Sequence, residues 1–589
     1  SSAGSGQTAV RYYLTFLTFL LPLKFGTVLD TAEMSFFPLT VWDVIFAAWP
    51  PFLFPVLAGI GLILAALLMP ARGRPEVHWV IPGAWALLAV TALVGLVRTT
   101  ELDFALLFLS HLTGAFCLAA AVACGIHADR KLAGYLITAI VLSTLLCCAS
   151  AWRQTAFGGL AETAQLAEQM ARERGQEISE DFRSRLEQRR AFGPFVYPNS
   201  LAAHLILVLP LTLLGLWQAG NKFEPVRLSR VLFVAVGLIA GLGALWFTGS
   251  RAAMAAFGGG LMAAAVIVPK LGHWRWFIVT LSATAVVAGL LVLSQGRSLS
   301  SLEARGDYYR AAMEMFASQP LTGIGLGEFY PNYMRLKPPG AEETRVPHNM
   351  LLNFAAQSGL AAAFAAVCVL CTLLFLLLMR LRQPCRISHA LFYCVFTGLC
   401  AWGLHALADF NVLIPGTVGT AALLPVLAFA GRKADNRKAA QAVAEPAQLL
   451  RGALIGAALL ATAAAWRVPG ELHYARLYAA FARNNTSLPL FIKRTMQTAR
   501  LLPFSSKPYV LLAEKAEAAE NHGVAIKAYK AALNRAPHRS AFSMHIAENC
   551  LAVDDFECAA AALRHACFWY PHNPRLVMLD ELLRRKTGR

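Results

Sequence analysis

The sequence predicts an all-α fold: a polytopic membrane helix bundle with a C-terminal α-solenoid. Three observations carry this. Of 589 residues, 57% are hydrophobic and only 15% charged, with a mean hydropathy of +0.53, whereas soluble domains run at about 45–50% apolar and about 25% charged. Apolar runs of about 20 residues recur from Tyr12 to Trp466, room for about 12–13 transmembrane helices at about 1.5 Å per residue. From about Gly470 the composition returns to that of a soluble domain, and Pro503, Pro537 and Pro571 recur there at about 34 residues, the period of the tetratricopeptide helix pair.

Taken in order, residues 1–152 hold five expected spans. The first apolar run lacks a small-residue cleavage site and reads as an anchor. Residues 153–197 form a first outer loop whose "AETAQLAEQMARERGQEISEDFRSRLEQ" has high helix propensity but no continuous apolar face, as expected for one or two solvated helices. Residues 198–431 supply four spans (201–217, 231–247, 252–268, 277–293), a second outer loop at 295–347, and three more spans from Met350 to Phe429. A linker at 432–449, a last span at 450–467 and a helical domain at 470–589 complete the chain. In the last, "AIKAYKAALNRAP" and "AAAALRHACFWYP" each end a second helix at Pro. Stacking of such pairs buries a core that no single unit can, and presents a concave surface to a protein partner.

A formal charge of +18 in a soluble chain would point to nucleic acid; here the placement of the cations excludes that reading. Every second short loop is basic: Arg72 and Arg74, Arg130 and Lys131, Lys222 to Arg230, Lys270 and Arg275, Arg380 to Arg386, Arg432 to Lys438. The positive-inside rule makes those loops cytoplasmic. The N-terminus is then inside, and both long loops and the C-terminal domain face the periplasm. In the first long loop seven carboxylates, from Glu162 to Glu187, offset the arginines. Most of the 12 cysteines lie in apolar runs without metal-ligand spacing; Cys550, Cys558 and Cys567 leave one disulfide open in the outward domain, its pairing undetermined.

This topology brings four polar segments to one face: "FGPFVYPNS" (192–200), "FTGSR" (247–251), "RGDYYR" (305–310) and "VPHN" (346–349). Arg251 sits in a turn too short for its cation to snorkel away, and Arg305 and Arg310 add planar forks suited to phosphate oxygens. No paired-carboxylate motif accompanies them, which argues for phosphate held by protein cations, with no metal and no cofactor. His348 is the nearby group whose ordinary pKa permits proton exchange near neutrality. Simpler roles compete at each position. An interfacial arginine often anchors a span, a histidine at a helix start often caps it, and Tyr197, Pro198 and Asn199 also suit a helix entry. Gly323, Gly325 and Gly327 lack a preceding strand and the full phosphate-loop spacing, so they read as a turn.

The order and wording of "FGPFVYPNSLAAHLILVLPL", "TGSRAAMAAF", "RGDYYRAAMEMFASQPLTGIGLGEF", "PHNMLLNFAAQSGLAAA" and "HALADFNVLIP" resemble the O-antigen ligase and O-antigen polymerase superfamily over residues 190–415. The resemblance implies an inverting, metal-independent glycosyltransferase of the bacterial cytoplasmic membrane. Such an enzyme passes a glycan en bloc from undecaprenyl diphosphate to an acceptor hydroxyl at the periplasmic face. It maps the essential arginine onto Arg251, the essential histidine onto His348 and the loop arginine onto Arg305 or Arg310. Tyr309 stands where the loop motif commonly has tryptophan, and Ser200 where histidine often follows "PN". Tyr197, Asn199, Ser250, Tyr309, Asn349, His405 and Asp409 are the expected substrate-binding residues. Asp409, one turn after His405, is placed to orient that histidine or to meet the acceptor; a structural pair is the alternative. The acceptor is open: a lipid A core sugar, a growing polymer, or a protein hydroxyl. A transporter would instead need polar residues at mid-membrane, and a non-catalytic scaffold would not need both Arg251 and His348.

Overall fold

The computed structural model describes residues 2–29, 37–67, 80–162, 189–223, 227–267, 299–381, 389–429 and 445–588, with short stretches between 164 and 287. Most of the helices expected at 163–188, of the span expected at 277–293 and of the 432–449 linker lies outside the described residues. Among those described, the chain is helical throughout, without a strand. The first part comprises α1 (Ser2–Lys24), α2 (Val41–Phe46), α3 (Leu53–Leu67), α4 (Val80–Ala92), α5 (Leu102–Ala128) and α6 (Leu132–Ala156). Next come α7 (Pro198–Phe223), α8 (Arg227–Phe247), α9 (Arg251–Ile267), α10 (Leu299–Ser318) and α11 (Phe329–Leu336). The bundle closes with α12 (Met350–Leu381), α13 (His389–Ala406), α14 (Pro415–Ala428) and α15 (Glu445–Thr462).

Seven described helices are long and apolar enough to cross a membrane, and three shorter apolar ones (α3, α9, α14) accompany them. Among the described residues α1 and α13 are also helical where spans were expected, but belong to neither group. The chain is a multi-pass helical membrane protein.

Close helix approaches set the register of the central bundle. A Cβ on Gly398 of α13 would lie 2.0 Å from the Leu207 carbonyl oxygen of α7, and one on Gly260 of α9 would lie 2.7 Å from that of Thr397. Small residues let backbones meet this closely. Both contacts fall eight or nine residues from the N-termini of α7 and α9 and from the C-terminus of α13. At about 1.5 Å per residue those three termini stand level at one end of the bundle, and the site is built there.

α12 is not a single straight helix. Gly359 is left-handed (φ 79°, ψ −172°) and breaks it. The carbonyls of Ala356 and Gln357, released near the break, accept from the amides of Ile324 (2.8 Å) and Gly325 (3.2 Å), while the Leu360 amide donates to the Pro320 carbonyl (2.8 Å). The "LTGIGLGEF" stretch thus acts as the expected turn, filling hydrogen bonds that the kink opens.

No loop separates the last expected span from the helices that follow it. A short 3-10 stretch, Ala463–Trp466, leads from α15 into α16 (Arg467–Ala482). Six more helices follow: α17 (Leu488–Leu501), α18 (Lys507–Glu517), α19 (His522–Leu533), α20 (Ser540–Ala552), α21 (Phe556–Trp569) and α22 (Pro574–Thr587). Each packs on the next around a separate apolar core. Pro503, Pro537 and Pro571 follow the ends of α17, α19 and α21, where a residue unable to continue a helix belongs. Cys550 and Cys558 form a disulfide between α20 and α21, leaving Cys567 free and exposed.

The C-terminal helices are tied to the same end of the bundle that carries the site. The buried Arg467 guanidinium donates to Asp103 at the start of α5 (2.7 Å) and to Glu471 (3.0 Å). His538, in the turn after α19, meets the buried Glu328 carboxylate at 2.6 Å, and the other oxygen of Glu328 accepts from the Thr100 amide (2.8 Å) and hydroxyl (2.6 Å). Arg539 makes a two-nitrogen contact to Glu101 (2.8 and 3.2 Å). Tyr570 donates to Glu343 and joins an apolar cluster with Tyr308, Tyr333 and Phe329.

Candidate functional site

His348 occupies the turn that opens α12, with left-handed backbone geometry (φ 47°) unusual for a residue bearing a Cβ. Such a conformation costs about 1–3 kcal/mol and persists because several partners fix it. Its ring stacks on Tyr308 of α10 (centroids 5.7 Å apart) and lies 4.9 Å from the Phe410 ring. The Tyr309 hydroxyl donates to the Leu407 carbonyl (3.3 Å) and lies 3.5 Å from that of His348. Asn349 caps α12 by accepting from the Leu352 amide (3.1 Å), while its amide donates to the Leu407 carbonyl (2.9 Å). The side chain of Asn349 is therefore spent on holding α12 against the end of α13.

Asp409 is nearer His348 than His405. Its Oδ1 lies 3.6 Å from His348 Nδ1, and its Oδ2 lies 4.0 Å from His405 Nε2. The expected pairing one helical turn after His405 is thus present at the longer distance, although α13 ends at Ala406. His405 Nδ1 is bonded to Asn411 Oδ1 at 2.9 Å. Burial pushes the Asp409 carboxyl up, but the His348 ring beside it, the charge of His405 and the Phe410 amide outweigh that and hold it at about 2. It is an anion at any physiological pH.

The arginines divide. Arg251, exposed, is the first residue of α9, immediately after the tight turn at Gly249. A cation at a helix N-terminus adds to the positive end of the dipole instead of neutralising it, so positive charge is concentrated at the start of α9. Arg305 is half-buried on α10 and its charge acts on Tyr309 and His405. Arg310, five residues on, is exposed and paired with Asp307. Tyr197 packs edge-on against Phe410 (5.7 Å), and Ser250 is buried with its hydroxyl unpartnered among the described residues.

One residue was not singled out from the sequence. Arg190, at the end of the first long loop, donates to the Thr248 carbonyl (2.7 Å) and to Asn199 Oδ1 (2.8 Å), and the charges of Asp409 and Arg251 act on it. It joins the "TGSR" turn to the "YPNS" helix entry. Its proximity to "FGPFVYPNS" was the available signal, masked by the carboxylates of the same loop.

The structure thus places Tyr309 and Asp409 beside His348, with His405 next to Asp409 and Tyr197 against Phe410, and Asn199 joined through Arg190 to the turn that carries Ser250 and Arg251, while Arg310 is exposed. A cavity beside the histidine is lined by Val346, His348, Asn353, Phe354, Phe410 and Leu413. No curated protein matches the chain. A family model described as O-antigen ligase matches residues 236–367, a stretch that includes Arg251, Arg305 and His348 but neither Arg190 nor Asp409. Over that stretch the chain is similar to the O-antigen ligase family.

Proposed function

We propose that the protein transfers a glycan en bloc from undecaprenyl diphosphate to an acceptor hydroxyl at the outer face of the bacterial cytoplasmic membrane, as an inverting ligase that uses no metal. The observation that carries this reading is the His348–Asp409 pair beside a cationic helix terminus, inside and next to the matched region. With Nδ1 turned to an ionised carboxylate, His348 is set to keep its proton there and offer Nε2 as a base.

In the proposed step the acceptor oxygen bonds to the anomeric carbon from the face opposite the leaving group. Its proton passes to His348 Nε2, and the anomeric C–O bond breaks with its electron pair going to the diphosphate. Arg251 and Arg305 stabilise the charge that grows there, an interaction stronger in the transition state than in the ground state. Tyr197, Ser250 and Phe410 line the approach, and Asn199, Asn349 and Tyr309 hold its walls. The C-terminal helices, read as tetratricopeptide-like, face a polymer or protein partner.

The test is transfer by the purified protein, with lipid-linked glycan and three acceptors: lipid A core, a second lipid-linked repeat, and a serine- or threonine-bearing protein. Labelling of the core supports the ligase reading. Labelling of the second or third instead assigns polymerase or protein O-oligosaccharyltransferase activity. His348→Ala and Arg251→Ala should abolish transfer in folded protein, and chelators should leave it unchanged. Full transfer by either variant sinks the assignment.

A further inference from the structure

We propose that Arg190 is a diphosphate-binding residue, closing on the leaving group together with Arg251; this rests on the donor reading above. Two of its nitrogens are already committed, Nε to the Thr248 carbonyl and Nη2 to Asn199 Oδ1. Those bonds fix the plane of the guanidinium. They leave three of its five N–H donors for another partner. The Ala191 amide bonded to the Phe247 carbonyl (2.8 Å) fixes the backbone beneath it. The side chain lies against Gly249, where φ is 61° and an added Cβ would sit 3.1 Å from Nε. The glycine of the "TGSR" turn is therefore needed twice, for its left-handed backbone and for the room it leaves this arginine.

The electrostatics lack a counter-ion. Arg190 lies against the turn that leads into the positive end of α9, where the charge of Arg251 acts on it, and Asp409, the anion whose charge acts on Arg190, is already beside His348. Burial draws the Arg190 proton affinity down, Asp409 opposes this and Arg251 adds to it. Two guanidinium groups beside a buried, unpartnered Ser250 hydroxyl offer more donors and positive charge than a monoanion can use. A diphosphate supplies both the charge and the oxygens. Joined to Asn199 on one side and near Asp409 on the other, Arg190 would also transmit the position of the leaving group to the base.

The experiment is thermal stabilisation of the purified full chain in detergent by farnesyl diphosphate, with farnesyl monophosphate and inorganic pyrophosphate as separate arms. Arg190→Ala should raise the half-saturating concentration of farnesyl diphosphate by about tenfold or more, the loss expected for a charge-assisted contact. The penalty should be smaller with the monophosphate. A like effect with pyrophosphate identifies the diphosphate, not the lipid tail, as the group bound. Arg190→Lys, which keeps the charge without the fork, should be impaired by about threefold and decides the matter if the alanine variant does not fold. Unchanged half-saturation in the Arg190 variants, with binding lost in Arg251→Ala, overturns the inference and leaves the donor reading standing. A lowered melting temperature without ligand and unchanged half-saturation overturns it in favour of a purely structural role. If farnesyl diphosphate does not stabilise the unsubstituted protein, the donor reading falls and this inference with it.

Discussion

His348 Nδ1 faces Asp409 Oδ1 across 3.6 Å, and the carboxylate is almost fully buried while the imidazole is about a quarter exposed. This asymmetry suits a base that must reach substrate and an anion that must not. Asp409→Asn places an amide where the carboxylate was, which favours the wrong imidazole tautomer. Turnover should fall by about 10²–10⁴ with little change in acceptor KM. Because burial is outweighed and the Asp409 carboxyl is held at about 2, the stability and orientation it contributes are present above its ordinary value near 3.8 and are lost only as pH falls through 2. The ratio of wild-type to variant rates should therefore stay constant between about pH 5 and 8. A ratio that collapses toward one within that window would show that the carboxylate does not orient the base.

Arg305 and Arg310 are one and a half turns apart on α10 and should behave differently. Arg305 is half-buried and acts on Tyr309 and His405; Arg310 is exposed and paired with Asp307. Arg305→Ala should cost about 10²–10³ in kcat, the scale of a lost transition-state donor. Arg310→Ala should stay within about fivefold of wild type, as exposed ion pairs contribute about 0–1 kcal/mol. Rates measured with saturating donor separate the two, and equal losses would contradict the division.

Much of this architecture was legible because composition and charge placement act over whole helices. The membrane class, the level of Arg251 with the opening of α12, and the returning soluble character after Gly470 all follow from long apolar runs and the loops between them. Three features were not legible, each for a local reason. Asp409 reads as the i+4 partner of His405, which it is at 4.0 Å, but its closer approach to His348, 61 residues earlier in the chain, is not visible in local spacing. Arg190 lies in a charge-rich loop where carboxylates seem to neutralise it, yet the fold turns it inward onto Thr248 and Asn199. The kink at Gly359 hides in an apolar stretch because one glycine is tolerated in a helix at about 1 kcal/mol; only tertiary contact shows that it is required.

That kink makes a stability prediction. A Cβ at residue 359 would meet the Leu321 carbonyl oxygen at 2.3 Å, on a backbone at φ 79° and ψ −172° that is essentially restricted to glycine. Gly359→Ala should destabilise the protein by about 2–4 kcal/mol, lowering the apparent melting temperature in detergent. Gly452→Ala, where an added Cβ meets nothing within 4 Å, should be neutral or slightly stabilising. Equal melting temperatures for the two variants would mean that α12 tolerates a straight path.

The junction between the bundle and the C-terminal helices should have its own acid response. Burial pushes the Glu328 carboxyl up, but its bonds to His538 and Thr100 outweigh this and leave it below the ordinary 4.5. A carboxyl depressed by folding contributes stability that is fully present above its unfolded value and is lost as pH falls through the folded one. Glu101 works in the opposite direction: burial exceeds the help of Arg539 and raises it, so its penalty relaxes on acidification. The latch should therefore hold at neutral pH and release below about 4.5, with Glu328 setting the direction. Glu328→Gln removes that dependence and leaves His538 without its anion, a loss of about 1–3 kcal/mol for a buried charge-assisted bond. Limited proteolysis across residues 463–482 over a pH series measures the release. The variant should be cleaved at neutral pH at the rate wild type shows only in acid. Because Tyr570 shares an apolar cluster with Tyr308, on which His348 stacks, release should also lower transfer; cleavage that rises without any loss of transfer would separate the latch from the site.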